Sequence, residues 1–529
     1  GHCARSDERV RQKGQHTLKG SLHPEDTKTF HRIPLLVGDN CGCIRLRFSY
    51  GPREETDFAT GRQIVLGKLA EYSKLLERLG EEVLLELNRR KEAIIKSVLP
   101  LRNLLNFCLY DPAGRFRGRW DSPQYFDEWV EIGPDDITSR GFLPGDLPSG
   151  KWTVEIEVHA VVTEECRYTL VYELVEKGKA GGSAHTATEA GLPSTVMEIG
   201  GIASTTDVHQ VPGWYRGELH LHTNHSDANV PLTDMVAAAR EHGLDFIVLS
   251  DHNTVSSHRD IPKAAFPVIP GMELTTFYGH AVALGINEFV DWREEKDSDL
   301  HKQLDFVHSR GGLFSIAHPF VIGDPICTGC EWEYHNIDWS RVDLIELWSG
   351  SWRKGWAHNS LALLWWDHLL NEGLRIVGVA ARDVHDPAQL FIPDTADTYV
   401  WAEAVTQDAL LKGLKAGRVF VSSGTKLDFS AISGDRYYGL GDTVELKEPS
   451  QLLFRTVVSD IKEPAILRLS GDGSLLQEWP VEQDAAFEYE MNDELHPGWI
   501  RAEIWAQGPC VPGGRAMLAF TNPIYVNTD

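Results

Sequence analysis

Hydrophobic and polar residues alternate with a period of two along much of the first third of the chain. Ile44, Leu46 and Phe48, for example, alternate with polar residues, and the same alternation returns at 166–176 after turn residues. Successive side chains of a strand point to opposite faces, so this pattern is typical of strands with one buried face. The sequence therefore predicts a β-sandwich over residues 31–175.

A spacing of three to four residues replaces this alternation between about residues 60 and 100. Such spacing places apolar side chains on one face of an amphipathic helix, and Gly80 predicts a break into two helices. We expect a helical insertion that serves core or subunit packing. Self-association through the 60–100 helices is compatible with this pattern, but the sequence does not give the oligomeric state. The apolar positions are Leu69, Tyr72, Leu76, Leu79, Val83 and Leu87.

The segments on either side of this domain differ in character. Residues 1–30 are polar and without periodicity, and we expect them to be loose. Residues 176–211 are rich in Gly, Ala, Ser and Thr at their start, which is typical of a linker. Residues 425–529 contain strand patterns with Gly/Pro turns, which predict a second β-sandwich.

Strand-like and helix-like stretches alternate between residues 212 and 424. Repeated helix-then-strand units connect parallel strands, and this many units favour a closed barrel. The sequence therefore predicts an α/β fold in which a barrel is flanked by N- and C-terminal β-sandwiches. In such barrels the functional groups collect at the C-terminal ends of the strands.

Nearly every predicted strand of this central region ends in a histidine or a carboxylate. His220 and His222 lie two residues apart, so they share one face of the first strand. Imidazoles and carboxylates are ligands for zinc, manganese and iron. Because so many of these groups occupy the same topological position, we interpret them as a multinuclear metal site. Its candidate ligands are His220, His222, Asp227, His252, Glu273, His280, His318, Asp383 and His385.

Composition limits the remaining function classes. The chain has 529 residues and a formal net charge of −26, which is too acidic for general nucleic-acid binding. No apolar run approaches the roughly 18–20 residues of a membrane helix. The eight cysteines form no repeating framework, and reduced cysteines in a cytoplasmic protein are the default expectation. For Cys327 and Cys330, two free thiols in a loop or a local disulfide are favoured over a zinc clip.

The candidate metal ligands and the residues around them resemble motifs of the PHP (polymerase and histidinol phosphatase) family of metallohydrolases. The resemblance covers about residues 212–424 and implies a distorted (β/α)7 TIM-like barrel with two or three divalent ions. The flanking β-domains and the sequence around Cys327 are similar to the carbaryl-hydrolase-like (CehA/McbA) branch. The matching pieces are His-Leu-His at 220–222, Ser-Asp at 226–227, Ser-Asp-His-Asn at 250–253, Pro-Gly-Met-Glu at 270–273, the strand that begins at His280, Ala-His-Pro at 317–319 and Arg-Asp-Val-His at 382–385.

The resemblance also implies which ligands share an ion, with one carboxylate bridging two of the ions. In many family members a glycine stands where this chain has Ala228, so we expect strain in the turn that carries Asp227. The implied groups are His220, His222, Glu273 and Asp383 for the first ion, Glu273, His280 and His318 for the second, and Asp227, His252 and His385 for the third.

The expected chemistry follows from the charge of the ions. Closely spaced divalent ions lower the pKa of a shared water and stabilise attacking and leaving oxygens, so a metal-bridging hydroxide is the expected nucleophile. A phosphoesterase acting on a small phosphomono- or phosphodiester is favoured, and a carbamate or carboxylic ester hydrolase is the alternative. A degenerate barrel in a binding or scaffold protein is a second alternative, which the complete ligand set argues against.

Three further polar residues are candidates for catalysis. Asp251 and His225 could orient ligands or transfer a proton, and hydrogen bonding at a strand end is at least as good an interpretation. Arg382 could meet an anionic substrate, although a structural salt bridge is favoured for it. Arg353 would suit phosphate in the same way, whereas an aromatic set would suit an aryl leaving group. That set is Tyr278, Trp348, Trp352 and Trp356.

Overall fold

The computed structural model describes residues 10–12, 14–178, 211–263, 266–446, 451–491 and 497–528. Over these residues the chain is a mixed α/β protein with several sheets. The strands are β1 (Val10–Gln12), β2 (Gln15–Leu22), β3 (Thr29–Val37), β4 (Cys41–Gly51), β5 (Leu104–Tyr110), β6 (Phe116–Trp120), β7 (Trp129–Ile132), β8 (Gly150–Ala160), β9 (Cys166–Glu176), β10 (Gly213–Leu221), β11 (Phe246–Leu249), β12 (Val268–Thr276), β13 (Gly279–Leu284), β14 (Leu313–Ile316), β15 (Leu344–Ser349), β16 (Val377–Ala381), β17 (Asp397–Ala402), β18 (Val419–Ser422), β19 (Lys426–Ser433), β20 (Arg436–Tyr438), β21 (Thr443–Leu446), β22 (Leu452–Ser459), β23 (Ala465–Gly471), β24 (Ser474–Val481), β25 (Ala485–Met491), β26 (Trp499–Ala506), β27 (Met517–Thr521) and β28 (Ile524–Thr528). The α-helices are α1 (Phe58–Leu76), α2 (Glu81–Val98), α3 (Ser122–Tyr125), α4 (Leu232–His242), α5 (His301–Ser309), α6 (Trp356–Asn371) and α7 (Gln407–Lys415). None of the helices in these ranges combines the length and the apolar character needed to cross a membrane.

The first nine strands form two sheets that enclose one core. One sheet has the order β1-β2-β9-β4-β7 and the other the order β3-β8-β5-β6. The alternating residues Ile44, Leu46 and Phe48 are buried in the core between them. The expectation of a loose segment over 1–30 is wrong for its second half, because β2 pairs along its whole length with β9. Residues 1–9 and 13 lie outside the described part.

The helical insertion consists of α1 and α2, which Gly80 separates with a φ of +108°, a value that favours glycine. Val65 and Leu69 of α1 and Ile95 of α2 pack together with two half-buried isoleucines at 322 and 326. The chain therefore covers much of the apolar face of the insertion itself. Most of the predicted linker, residues 179–210, lies outside the described residues.

The central strands belong to a sheet in which β16-β15-β14-β13-β12-β11-β10-β17-β18 are neighbours in that order. The pairs among β10, β11 and β12 and among β14, β15 and β16 are parallel, as predicted. The expectation of a wholly parallel sheet is wrong for β13, which runs antiparallel to both of its neighbours, and for β17. Only Phe277 and Tyr278 connect β12 to β13, and a parallel connection needs a crossover of a dozen residues or more.

The two ends of the run β10–β16 approach each other without forming a full ladder. They meet at a parallel bridge between Leu221 and Val384. The backbone N–H of His222 donates to the Val384 carbonyl at 2.8 Å, and the Val384 N–H donates to the His220 carbonyl at 2.9 Å. This bridge lies beside His220, His222 and Asp383, and therefore at the candidate site.

The same sheet continues into the C-terminal region. β18 pairs with β27, and β26, β23 and β24 extend the order further. A second sheet, β20-β19-β22-β25, packs beside it. The boundary predicted at residue 424 is therefore not a break in hydrogen bonding, because the edge of β18 is paired with a strand almost 100 residues further along the chain.

Candidate metal centre

The structure brings all nine predicted ligands together. Their donor atoms fall into overlapping groups in which all atoms lie within 4.8 Å of one another. The side chains come from the ends of β10 and β16, from β12 and β13, and from the segments that follow β10, β11 and β14. The sheet therefore explains why residues up to 165 positions apart in the sequence, from His220 to His385, converge on one place.

The first group lies around the bridge between β10 and β16. Asp383 Oδ1 is 2.9 Å from His222 Nε2 and 3.3 Å from His220 Nε2. Glu273 Oε2 is 3.3 Å from the same nitrogen of His220 and 3.5 Å from that of His222. Two imidazole nitrogens and two carboxylate oxygens thus point at one another, which is the arrangement implied for the first ion.

Glu273 lies between this group and the others. Its Oε1 is 3.1 Å from His280 Nδ1 and 3.5 Å from His318 Nε2, and its Oε2 is 2.7 Å from His252 Nδ1. Each oxygen therefore faces a different set of histidines. A carboxylate in this position is suited to bridge two ions.

The third group is the most open to solvent. Asp227 Oδ1 is 3.0 Å from His385 Nε2, and Asp227 Oδ2 is 3.3 Å from His252 Nε2. The side chains of Asp227 and His385 are 27% and 30% exposed, and Asp383 of the first group, at 31%, borders the same opening, whereas His220, His222 and Glu273 are fully buried. The strain expected at Ala228 is absent, because Ala228 does not adopt a positive φ. The centre thus opens to solvent on the side of this group.

Several donor atoms of the centre are buried without a hydrogen-bond partner in the described part of the chain. Both carboxylate oxygens of Glu273 are among them, together with His220 Nε2, His318 Nδ1 and both ring nitrogens of His280. Buried polar groups are normally hydrogen-bonded, and a buried carboxylate without donors is costly. The donor set is also the mixture of imidazole and carboxylate that zinc, manganese and iron accept. The residues therefore fit a divalent metal centre.

Opposing effects set the protonation states of the metal-free centre. Burial lowers the pKa of its histidines, but the neighbouring carboxylates outweigh burial at His220, His252, His318 and His385 and raise their pKa, so an ion that binds these four rings would displace their protons. Burial, with His252 and His385 nearby, lowers the pKa of His222 to about 4, and burial also lowers the pKa of His280. Burial opposes the ionisation of Glu273, but His220 and His252 outweigh it and hold the pKa of its carboxyl well below the usual range. Neutral imidazoles and ionised carboxylates are the forms that bind metal ions.

The backbone is held in an unusual conformation at three positions of the site. Asn253, His318 and Asp383 have φ values of +47°, +28° and +56°. Residues other than glycine rarely adopt the left-handed region, and such residues cluster at functional sites. The surrounding structure therefore fixes the direction of the His318 and Asp383 side chains at a conformational cost.

The sequence analysis missed Glu346, which touches two ligands. One of its oxygens is 2.8 Å from His220 Nδ1, and the other accepts a hydrogen bond from the His318 backbone N–H at 2.9 Å. It is buried in β15, where it is the single charged residue of an apolar strand. A buried acidic residue in such a strand needs a partner, so its presence in the apolar sequence of β15 could have marked Glu346 as a residue of the site. Thr275 was missed as well; its Oγ1 lies 2.6 Å from His252 Nδ1.

Asp251 and His225 lie next to the centre, but their side chains are engaged elsewhere. Asp251 accepts hydrogen bonds from Thr223 and Ser226 and so stabilises the turn before Asp227. His225 is paired with Asp260, 2.8 Å away, and does not join the ligand groups. Their contacts are those of positioning residues rather than of acids or bases that face the ligands.

Of the two roles considered for Arg382, the structure shows the favoured one, a structural salt bridge, rather than contact with an anionic substrate. Its guanidinium is buried and donates to Glu218, Asp397 and Thr395. Both carboxylates are themselves buried, so the arginine neutralises them rather than reaching the opening of the centre. Arg353 is similarly paired, with Asp394 and Glu463.

The aromatic residues considered for an aryl pocket are mostly part of the core. Trp348, Trp352 and Trp356 are all buried, and Trp348 Nε1 donates to the Gly350 carbonyl. Trp352 packs edge-on against Trp348 and against Trp505 of the C-terminal region. Trp352 therefore joins the central part of the chain to the C-terminal part.

The N-terminal domain also reaches the centre, which the sequence did not suggest. Arg119 Nη1 donates to the His252 carbonyl at 3.4 Å, and Gln124 donates to the Ala228 carbonyl. The Thr254 hydroxyl donates to the carbonyl of Gly141 at 3.1 Å. All three contacts fall on the segments that carry Asp227 and His252, so the N-terminal domain helps to fix the third group.

Fold and site together define a mixed α/β protein with a candidate multinuclear metal centre. Residues 218–298 match the family model of the PHP domain. No curated protein matches the chain.

Two solved structures are similar to parts of this chain. A two-domain protein from Bacteroides vulgatus, described as containing a predicted PHP-like metal-dependent phosphoesterase, is 14% identical over 62% of this chain and 100% of its own, with a TM-score of 0.33. An amidohydrolase from Chromobacterium violaceum with bound sulfate is 15% identical over 34% of this chain and 89% of its own, with a TM-score of 0.24. TM-scores this low do not by themselves establish a shared fold.

Proposed function

We propose that this protein is a metal-dependent hydrolase, specifically a phosphoesterase, whose nine ligands hold two or three divalent ions. The observation that carries the proposal is Glu273, a fully buried carboxylate whose two oxygens make no hydrogen bond among the described residues and face separate sets of histidines. The PHP match over 218–298 adds support, since that range contains six of the nine ligands. We further describe β10–β16 as a distorted (β/α)7 barrel that closes at the Leu221–Val384 bridge.

The charge of the centre favours an anionic substrate. The ligand set contains the three carboxylates of Asp227, Glu273 and Asp383, whereas two or three divalent ions bring four or six positive charges. The buried carboxylate of Glu346 beside His220 adds a fourth negative charge, so the centre is balanced with two ions and cationic with three. In the three-ion form it attracts a phosphate ester more strongly than a neutral carbamate.

The chain's own residues set the geometry of the reaction. When bound, the divalent ions acidify a water and neutralise charge on the ester oxygens. Glu346 fixes the ring of His220 and the backbone of His318, and Thr275 fixes the ring of His252. Asp251 holds the turn that presents Asp227. Substrate approaches from the side of Asp227 and His385, where the centre is open.

The test begins with protein stripped by a chelator and reconstituted with Mn²⁺ or Zn²⁺. Elemental analysis should find two or three ions per chain, and the reconstituted enzyme should hydrolyse bis-p-nitrophenyl phosphate or p-nitrophenyl phosphate. His220→Ala and Asp383→Ala should lose both metal and activity. His301→Ala is the matched control, because this exposed histidine pairs only with nearby Asp299 in the described structure.

The outcomes distinguish the alternatives. Turnover of a naphthyl carbamate alone would replace the phosphoesterase proposal with a carbamate hydrolase of the carbaryl-hydrolase type. Less than about one ion per chain after reconstitution would favour a degenerate barrel with a binding or scaffold role. Full activity in both ligand variants would show that the site assignment is wrong.

A further inference from the structure

A tight turn that contains two cysteines lies against one histidine of the centre. Cys327 and Cys330 are joined by a disulfide, which is one of the local arrangements favoured from the sequence. Gly329 between them has a φ of +73°. A Cβ at this position would lie 3.0 Å from His280 Nε2 and would collide with the Thr276 carbonyl oxygen. The turn is therefore packed directly onto His280, and glycine is what permits this approach.

The buried sulfur of this turn joins two imidazoles in a compact donor group. Cys330 Sγ and one nitrogen each of His280 and His318 lie within 4.8 Å of one another, and all three residues are buried. Neither ring nitrogen of His280 has a hydrogen-bond partner among the described residues, and His318 Nδ1 has none either. His280 Nδ1 faces Glu273, whereas its Nε2 faces the turn. The unpartnered nitrogens therefore point to a ligand on the cysteine side as well.

The chemistry of this group differs from that of the other ligands. Two imidazoles and a thiolate are donors for zinc and other ions that accept sulfur, whereas manganese prefers oxygen donors. A disulfide sulfur lacks the negative charge of a thiolate, which is the form that binds metal. The oxidation state of the turn thus decides whether sulfur takes part.

We propose that Cys327 and Cys330 form a redox-controlled ligand: reduction of their disulfide frees Cys330 to bind a thiophilic divalent ion such as Zn²⁺ together with His280 and His318. The inference rests on the metal centre of the proposed function and adds a tenth, sulfur ligand to it. It also makes the metal preference of the group formed by His280, His318 and Cys330 depend on whether the Cys327–Cys330 disulfide is oxidised or reduced.

A dithiol supplies the two electrons. One of its thiolates attacks the half-buried Cys327 Sγ, the Cys327–Cys330 bond breaks, and Cys330 leaves as the thiolate beside His280. The second thiol then breaks the mixed disulfide, which releases Cys327 as a thiol and the reductant as a cyclic disulfide. The two protons of the dithiol balance the two protein thiols, and the proton of Cys330 passes to solvent when the ion binds.

The difference in burial explains why Cys330 is the ligand and Cys327 the point of attack. Cys330 is 5% exposed and adjoins the two histidines, whereas Cys327 is half-buried and belongs to none of the ligand groups. Thiol–disulfide exchange depends on access to the attacked sulfur. Attack at the sulfur of Cys327, the more exposed cysteine, therefore leaves the thiolate on the buried Cys330.

The experiment uses Co²⁺ as a spectroscopic probe in the full-length protein. Metal-free protein is left oxidised, or is reduced with dithiothreitol and desalted without oxygen, before Co²⁺ is added. Reduced protein should show a sulfur-to-cobalt charge-transfer band that oxidised protein lacks. Thiol titration should find two more thiols after reduction, and Zn²⁺ should protect one of them.

Variants assign the band to one sulfur. Cys330→Ser should abolish the band, whereas Cys327→Ser should show it without prior reduction, because Cys330 can no longer pair. Cys510→Ser, which removes an exposed free cysteine, is the control and should behave like the original chain. Cys327→Ser also tests the proposal if circular dichroism shows that Cys330→Ser is misfolded.

The outcomes separate this inference from the proposed function. Cobalt binding, measured by elemental analysis, with no band after reduction overturns the inference and leaves the proposed function intact. A band that persists in folded Cys330→Ser overturns it too. Failure to bind cobalt in either redox state overturns both.

Discussion

Replacing Glu346 by glutamine tests whether a residue that is not itself a candidate ligand controls metal affinity. The side chain keeps its size, so no cavity forms in β15. The carboxylate accepts from both His220 Nδ1 and the His318 backbone N–H. An amide has only one acceptor oxygen, so one of these two donors would face an N–H group instead.

The magnitude follows from the hydrogen bond that is lost. Hydrogen bonds to charged groups contribute about 1.5–3 kcal/mol each. At about 1.36 kcal/mol per tenfold change, the loss of one such bond weakens metal binding roughly 10- to 150-fold. Loss of partners that orient metal-bound histidines has effects of about 10- to 100-fold, so the two figures agree.

The assay is a competition titration of apo-protein against a chromophoric chelator with Zn²⁺. Glu503→Gln is a matched control, because Glu503 is also a buried carboxylate that accepts hydrogen bonds, from Arg501 and Trp505, but it lies in β26 of the C-terminal region. The control should leave the Kd unchanged. A Glu346→Gln protein that is folded and binds Zn²⁺ as tightly as the control would refute the reasoning.

Three further predictions concern stability and the other groups of the site. Arg382→Met leaves two carboxylates buried without their cation and should destabilise the fold by about 3–5 kcal/mol in denaturant unfolding; an unchanged midpoint would contradict the ion-pair role. Burial opposes ionisation of Glu157, but Arg119 and His159 hold its pKa at about 2, below the ordinary 4.5. Its contribution to stability is therefore complete above about pH 4.5 and is lost as the pH falls towards 2, and acid unfolding of Glu157→Gln should depend less on pH in that window. Thr275→Val should lower the occupancy of the third group alone, and an equal loss of all ions would argue against separate groups.

The ligands could be predicted because they obey a rule that is local in sequence. All of them except His280 follow or end a short apolar stretch, and strand ends meet at one edge of a sheet, so no distances were needed to group them. His280 begins its strand and reaches the same edge because β13 runs antiparallel to its neighbours. The break at Gly80 was predictable for the same reason, since glycine interrupts an otherwise periodic helix pattern.

The rest depended on contacts between distant segments. The sequence marks Glu346 as an acidic residue in an apolar strand, but its partners His220 and His318 are known only once β15 is placed beside the segments that carry them. Arg382 has the same neighbours in sequence as a substrate-binding arginine would have, and only Glu218 and Asp397 reveal its other role. The contact of Arg119 with His252 joins two regions that composition and periodicity describe as separate.

The ladder between β18 and β27 has a practical consequence for dissecting the molecule. A fragment that ended near residue 424 would keep the candidate metal ligands and the pairing of β18 with β17, but it would lose β27 from the other edge of β18, whose four residues are all buried. An apolar strand with unpaired N–H and C=O groups is a template for aggregation. Expression of the part that carries the candidate metal ligands alone should therefore yield insoluble protein unless the strands that follow are retained.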